Sequence, residues 1–280
     1  MYLSYYQLRE KPFALPPDPS FLYPSKKHRM GLTMLEYGLH NQEGFVVISG
    51  GIGTGKTTLL QTITGQLNQR HITFGMITNA HEDFGDLLQW VMMAFGQEYA
   101  DRSKTELYRG FLDFVMAEHR HHRRTVLIID EAQNLAPATL EELRMLVNVN
   151  VGSAPALQIV LVGQPQLLEK LRRAELEQFA QRVSVNYRLD PLDLEDTRAY
   201  ISHRLTLAGN EQGDLFTDDA CAAVFRHSGG VPRVINLIAD TSLVYGFADD
   251  QKRITAELVE AVVQDRNASG LPFLHAGAAS

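Results

Sequence analysis

A glycine-rich stretch that ends in a lysine and two threonines is the part of the sequence best suited to bind phosphate. It fits the pattern G-x-x-x-x-G-K-[ST] of a phosphate-binding loop, the P-loop. Glycines permit positive φ and close backbone approach, so successive N–H groups can surround a phosphate at the N-terminal end of the next helix. Lys56 adds a positive charge near the β- and γ-phosphates, and the Thr57 hydroxyl is suited to hold Mg²⁺. The predicted nucleotide-binding residues are Gly50, Gly51, Ile52, Gly53, Thr54, Gly55, Lys56, Thr57 and Thr58.

The flanks of this loop support the interpretation. An apolar run at 45–49 precedes it and predicts a strand, and Leu59, Leu60 and Ile63 follow at helical spacing. The alternative is a chance glycine-rich turn, which would not require a strand on one side and a helix on the other.

Two acids follow a second apolar run. The run at 125–129 is short and continuous, which is typical of a parallel strand buried on both faces, and Asp130 and Glu131 come directly after it. Open α/β sheets place their ligands at the carboxyl ends of the strands. Asp130 would hold Mg²⁺ through water, and Glu131 would orient and polarise the attacking water. The alternative is an ordinary solvated turn.

A polar residue also follows a third apolar run, at 156–163. Gln164 at the tip of this strand would lie beside the γ-phosphate, between the strands at 45–49 and 125–129, and would sense it. The alternative is that Gln164 belongs to the N-cap region of the helix that Pro165 begins.

Composition and sequence patterns argue against several classes of protein. The chain has 280 residues, a formal net charge of −7 and a single cysteine, Cys221, so no internal disulfide can form. It contains no signal-peptide pattern and no apolar run long enough to span a membrane. We expect a cytoplasmic protein, with attachment to the inner membrane through partners as an option. The acidic balance argues against general nucleic-acid binding, although a local basic face at 120–124 leaves it open.

Hydrophobic periodicity predicts four parts. Residues 1–27 form an extended arm rich in aromatics and proline, and Ser25 can cap the helix that follows. Residues 28–190 form an αβα nucleotide-binding domain, 191–266 a helical lid and 267–280 a loose tail. The remaining predicted elements are strands at 72–78, 156–163 and 182–189 and helices at 26–39, 83–95, 105–121, 137–147, 166–173, 175–179, 194–208, 217–227, 232–247 and 255–265.

The histidine- and arginine-rich stretch 119–124 and the lone Cys221 have simpler interpretations. His119 and His122 are spaced for a metal, but no carboxylate or cysteine cluster completes a site, so a solvated helix end is favoured. Cys221 lies among alanines in a predicted helix, which indicates packing.

Together these pieces resemble the AAA+ class of ATPases over about residues 28–266. Within it, the chain resembles the ExeA/GspA type of general secretion ATPase domain, and in particular the subgroup associated with exosortase and exopolysaccharide loci. The resemblance implies a three-layer αβα core with a parallel five-stranded sheet and an all-α lid. The stretches that carry it are 6–13, 17–23, 130–135, 162–165, 181–183 and 229–236.

The resemblance also implies roles for two arginines. Arg182 resembles an arginine finger that reaches the γ-phosphate of a neighbouring subunit, with Arg172 and Arg173 as rivals and a plain surface arginine as the alternative. Arg233 resembles the sensor that opens a lid helix and touches the phosphates in the same subunit. A plain helix start would explain Pro232 but not the arginine.

Two further implications concern the arm and the departures from the family pattern. The family's N-terminal arm covers the adenine, and Phe13, Pro24 and His28 occupy the corresponding positions. Gly51 stands where the family often has an acidic residue. The membrane span and wall-binding domain of many secretion members are not in this sequence.

The sequence therefore predicts an ATPase that hydrolyses ATP to ADP and phosphate with Mg²⁺, with Glu131, Lys56, Gln164, Arg182 and Arg233 as its catalytic residues. A finger in trans implies a homo-oligomer, either a ring or a filament. The first hypothesis for its role is a motor or assembly factor for export of protein or polysaccharide across the bacterial envelope. The alternatives are a DNA-bound regulator of the transposition type and a nucleotide-dependent binding switch that barely hydrolyses.

Overall fold

A computed structural model of the chain describes residues 1–67, 71–78, 86–151, 154–211, 213–270 and 273. The chain divides into two compact units. The sheet unit comprises residues 29–51 and 59–189, and the lid unit comprises residues 1–28, 52–58 and those from Asp190 onward.

The helices and strands of both units are numbered in chain order. The helices are α1 (Tyr2–Tyr5), α2 (Lys26–His40), α3 (Lys56–Leu67), α4 (Leu87–Ala94), α5 (Lys104–Arg120), α6 (Pro137–Val147), α7 (Pro165–Leu171), α8 (Glu177–Ala180), α9 (Leu194–Leu207), α10 (Asp218–Ser228), α11 (Pro232–Ala248) and α12 (Ala256–Ala268). The strands are β1 (Phe45–Gly50), β2 (Ile72–Ile77), β3 (Arg124–Ile129), β4 (Asn150–Val151), β5 (Ala154–Pro155), β6 (Gln158–Gly163) and β7 (Val183–Leu189).

The main sheet of the sheet unit is parallel throughout. Its strand order within the described residues is β2-β3-β6-β1-β7, and β4 and β5 form a separate antiparallel pair. The central strands β1 and β6 are buried along their whole length, as their continuous apolar runs predict. Strand β6 lies between β1 and β3, so the residues that follow these three strands come out at one edge of the sheet.

Alternate side chains of the strands bury opposite faces of this sheet. Phe45, Val47 and Leu127 join one apolar core with residues of α4, α5, α6 and α7, and Val46, Ile48 and Val126 join a second core with residues of α2 and α3. Two helical layers therefore enclose the sheet, which confirms the predicted three-layer αβα core.

The predicted elements agree with the structure apart from their ends. Strand β6 begins at Gln158 rather than at 156, α12 runs on to Ala268 past the expected start of the tail, and α4 is described from Leu87. The first residues of the helix predicted at 83–95, and residues 271–272 and 274–280 of the predicted tail, lie outside the described residues. Among the described residues, no helix combines the length and the apolar character needed to cross a lipid bilayer.

The lid unit is built from helices α9 to α12 and from the N-terminal arm. Residues Tyr2, Tyr6, Leu8, Phe13 and Phe21 of the arm are buried in the apolar core of the lid helices. The prediction of a wholly extended arm is wrong at its start, where α1 forms a single helical turn. The first proline of the arm is Pro12, so nothing blocks a helix before it.

A buried arginine joins the middle of the arm to α9. The Arg204 guanidinium donates to the carbonyl oxygens of Pro12 and Ala14 and to the Tyr200 hydroxyl, and it lies over the Phe21 ring, 4.8 Å from the ring centroid. Its side chain is therefore held by oxygens and aromatic faces that belong to the arm and to α9.

Replacing Arg204 should loosen the arm. Arg204→Met would remove a donor from the carbonyl oxygens of Pro12 and Ala14, of which Ala14 keeps the bond from the Asn236 amide, and we expect the free energy of unfolding to fall by about 2–3 kcal/mol in urea titrations. Arg226→Met is the matched control on α10, because Arg226 is exposed and pairs with Glu260, and it should change stability by less than about 1 kcal/mol. Equal losses in the two variants would contradict this role of Arg204.

Candidate functional site

The P-loop leaves the carboxyl end of β1 and enters α3, the arrangement that its sequence predicts. Lys56 is the first residue of α3 and is buried, Thr57 is exposed in the first turn, and Ile52 exposes its side chain in the loop. The N–H groups that begin α3 have no partners within the helix, so the loop combines helix-terminal donors with a lysine charge. This combination is suited to bind the phosphates of a nucleotide.

Two glycines of the loop have conformations that other residues adopt with strain. Gly53 has a φ of 78° and Gly55 a φ of 101°. A Cβ on Gly53 would lie 2.6 Å from the Arg233 Cβ, and one on Gly55 would lie 2.7 Å from His28 Nε2. The loop backbone is therefore packed closely against Arg233 and His28, and only glycine fits at these contacts.

Arg233 contacts the P-loop through its backbone as well. Helix α11 begins at Pro232 and its N-cap residue, Val231, makes no side-chain cap. The Arg233 N–H donates instead to the carbonyl oxygen of Gly53, at 3.2 Å. The loop therefore satisfies one of the N–H groups that begin α11, which places Arg233 beside the loop.

His28 supports the loop from the other direction. Its Nε2 donates to the Thr54 carbonyl oxygen at 3.1 Å, and its Nδ1 accepts from the Ser25 hydroxyl at 2.8 Å. Ser25 also accepts the His28 N–H, which confirms Ser25 as the cap of α2. Burial lowers the pKa of the His28 imidazole, so the neutral ring holds the loop.

The expectation that Phe13 covers an adenine is wrong, and that for Pro24 and His28 stays a prediction. Phe13 is only 1% exposed and meets the ring of Phe216 edge-on, with ring centroids 5.9 Å apart, so it is a residue of the lid core. Both ring nitrogens of His28 are engaged by Ser25 and Thr54, within hydrogen-bond distance.

In the sheet unit, the acids after β3 form a separate polar cluster. Asp130 is buried and its Oδ1 accepts the N–H of Glu131 at 2.9 Å. Glu131 adopts a left-handed backbone with a φ of 54°, and its Oε2 accepts from the side-chain amides of Gln133 and Gln164, the latter at 3.3 Å. Gln164 therefore lies beside the carboxylate of Glu131, at the tip of β6.

Gln133 is a member of this cluster to which sequence reasoning gave no role. It is in the stretch Asp130–Leu135, which carries the family resemblance, but residue spacing does not show where its side chain turns. Its Oε1 accepts the backbone N–H of Gln164 at 2.9 Å.

Arg182 lies at the opposite end of the sheet from Glu131 and Gln164. It immediately precedes β7, at the amino end of that strand, and its exposed guanidinium donates to Asn148 Oδ1. Its rivals Arg172 and Arg173 are exposed just after α7, and Arg173 Nη1 lies 3.8 Å from Glu175 Oε1.

The strand order with a P-loop after β1, two acids after β3 and a polar tip on the strand between them defines the AAA+ class of P-loop nucleotide-binding proteins. Residues 39–171 of the chain match the family model described as "AAA domain", and this part of the chain belongs to that family.

Within this family, the chain is similar to a curated secretion protein. It is 39% identical over 256 residues to General secretion pathway protein A of Aeromonas hydrophila, a match that covers 91% of this chain and 46% of that protein. It is also 26% identical over 228 residues to the Holliday junction branch migration complex subunit RuvB of Fervidobacterium nodosum, over 78% of this chain and 56% of the relative. The matched part therefore amounts to about half the length of each relative.

A solved structure shows the same fold. The ORC2 protein of Aeropyrum pernix, determined in ADPNP–ADP complexes, aligns with a TM-score of 0.65 and 14% identity, over 92% of this chain and 72% of that one.

The neutral state of His28 should make stability depend on pH. Because its folded pKa lies below the ordinary value of 6.5, the unfolded chain binds the proton more readily, and stability is lost as pH falls below about 6.5. Asp196 and Lys27 are the charged groups that act on this ring. As pH falls, the free energy of unfolding of the wild type, measured in urea, should decrease by at most about 1.4 kcal/mol per pH unit more than that of His28→Gln. The amide of this variant can still donate to Thr54.

The exposed His40 supplies the control for this measurement. His40→Gln should keep the pH dependence of the wild type, because the ring of His40 is exposed at the end of α2. A wild type and a His28→Gln variant with the same pH dependence would contradict the assignment of a buried neutral His28.

Proposed function

We propose that this protein hydrolyses ATP to ADP and phosphate, with the triphosphate bound by residues 50–58. The observation that carries the proposal is Glu131, a carboxylate held by two amides at the carboxyl end of a buried strand. Water attacks the γ-phosphorus in line, Glu131 accepts its proton, and ADP leaves. Lys56 offsets the charge that develops on the phosphate oxygens.

The residues predicted to hold Mg²⁺ have suitable chemistry for that ion. Thr57 provides an exposed hydroxyl in the first turn of α3, and Asp130 provides a carboxylate after β3. Mg²⁺ prefers such oxygen donors and retains several waters. When bound, it would supply positive charge to the phosphate oxygens, and Thr57 and Asp130 are the residues that would hold it.

Arg233 and Arg182 are proposed to act on the phosphates from different subunits. Arg233 follows Pro232 at the start of α11, next to Gly53, and would act in the same subunit. Arg182 precedes a strand of seven residues that is parallel to β1, so about 20 Å of strand separates it from the end of β1 where the P-loop starts. This distance favours action in trans, within a ring or filament of identical subunits.

The process that the ATPase serves is proposed from the relative in Aeromonas hydrophila. Similarity to General secretion pathway protein A over 91% of this chain favours a motor or assembly factor for export across the bacterial envelope, including export of polysaccharide. The same proposal places the protein on the cytoplasmic side, where ATP is available.

A DNA-bound role is the second candidate. The similarity to RuvB favours it, as does the exposed histidine- and arginine-rich segment from His119 to Arg123, in which Arg123 pairs with Glu118. ATP-dependent binding of duplex DNA that weakens steeply between 50 and 200 mM salt would select this role, and its absence would favour export.

Glu131→Gln tests the hydrolytic step. The amide cannot accept the proton of water, so turnover should fall by about 10²–10³-fold while ATP remains bound. Phosphate release and equilibrium binding of labelled ATP measure the two effects. Lys56→Ala is the comparison, because it should lose binding itself. An unchanged turnover in Glu131→Gln would favour the binding switch over the enzyme.

Arg182→Ala tests the action in trans. We expect ATP binding to persist and turnover to fall by about 10³-fold, the scale of an arginine finger. Mixing this variant with Lys56→Ala protein should restore part of the activity, because one subunit then supplies the finger and the other the nucleotide. Arg226→Ala is the matched control for an exposed arginine, and Arg173→Ala tests the rival finger. Normal hydrolysis by Arg182→Ala would exclude Arg182 as the finger.

A further inference from the structure

Gln133 uses both ends of its side-chain amide in the cluster around Glu131. It lies in a short 3₁₀ turn at Ala132–Asn134 after β3. Its Nε2 donates to Glu131 Oε2, and its Oε1 accepts the backbone N–H of Gln164 at 2.9 Å. One side chain therefore connects Glu131 to the tip of the neighbouring strand β6.

The backbone of Glu131 makes such a connection necessary. Its φ of 54° lies in the left-handed region, which a residue with a Cβ adopts at a cost of about 1 kcal/mol or more. Contacts around the residue must hold this conformation. The hydrogen bonds that the Gln133 and Gln164 amides donate to Glu131 Oε2 are two such contacts. The direction of the Glu131 carboxylate thus depends on Gln133 and Gln164.

Gln133 is itself held in place from two sides. Lys170 Nζ donates to the Gln133 carbonyl oxygen at 2.6 Å and also to that of Leu135. A Cβ on Gly163 would lie 2.8 Å from Gln133 Oε1, so a larger residue at position 163 would push the amide away. The missing side chain at Gly163 therefore leaves space for the Gln133 amide in this orientation.

We propose that Gln133 is the positioning residue for Glu131 and Gln164 in ATP hydrolysis, an inference that rests on the function proposed above. It acts by fixing the direction of the carboxylate that accepts the proton of water. Residues that orient catalytic groups contribute to turnover without binding the substrate, so the effect belongs in kcat and not in nucleotide affinity.

Gln133→Met is the first test, because methionine keeps the length of the side chain but cannot form the hydrogen bonds of the glutamine amide. We expect kcat to fall by about 10-fold or more while the affinity for labelled ATP and the melting temperature stay close to the wild type. Gln178→Met is the matched control, since Gln178 is exposed on α8 in the same unit, and it should leave kcat unchanged.

Gln133→Glu is the second test and gives a pH profile. The introduced carboxylate cannot donate to Glu131, but its protonated form can, so the ratio of its kcat to that of the wild type should rise from pH 8 to pH 6. A residue that only holds the turn together would show no such rise.

The outcomes separate the two proposals. If Gln133→Met turns over as fast as the wild type, the positioning role is overturned and the proposed ATPase activity stands. The same holds if the ratio of the Gln133→Glu kcat to the wild-type kcat does not change with pH. Loss of cooperative unfolding in both variants shows a structural role and also overturns it. If the wild type turns over no faster than Glu131→Gln, the proposed function falls, and this inference falls with it.

Discussion

The parallel pairing of β1, β6 and β3 is the constraint on which the rest of the structure depends. Each strand is an apolar run, and their registers pair Ser49 with Gly163 and Ile129 with Leu161. Gly51, Asp130 and Gln164 follow these strands, so backbone hydrogen bonds alone bring the ends of three distant segments to one edge of the sheet. Burial on both faces fixes the register, because a slip of one residue would exchange the two cores. The polar residues can therefore be few, since the sheet has already positioned their backbones.

Two different kinds of contact then fix the P-loop backbone and the Glu131 side chain. In the lid unit, the P-loop backbone is fixed by neutral groups, namely the His28 imidazole at Thr54 and the Arg233 N–H at Gly53. In the sheet unit, side-chain amides hold the Glu131 carboxylate. An amide orients a carboxylate without cancelling its charge, which suits a group that must accept a proton. The proposed chemistry thus relies on hydrogen bonds for direction and on Lys56 for charge.

Much of this could be predicted from local sequence. The P-loop and the acids after β3 followed from apolar runs and glycine spacing, because burial and backbone conformation leave direct signals in sequence. The position of β6 between β1 and β3 agrees with what the family resemblance implies. The roles of Gln133 and His28 could not be predicted, because they depend on which side chain a distant segment brings within hydrogen-bond distance. Phe13 shows the same limit: its burial against Phe216 is a tertiary contact that no periodicity indicates. The individual roles proposed for Gln164, Arg182 and Arg233 stay predictions.

The proposed hydrolysis requires the P-loop to bind a nucleoside triphosphate with magnesium. Isothermal titration calorimetry of the folded protein with a non-hydrolysable ATP analogue and Mg²⁺ tests it most directly. We expect saturable binding of one analogue per chain that weakens when the ion is chelated. A folded protein that takes up no analogue under these conditions would contradict it.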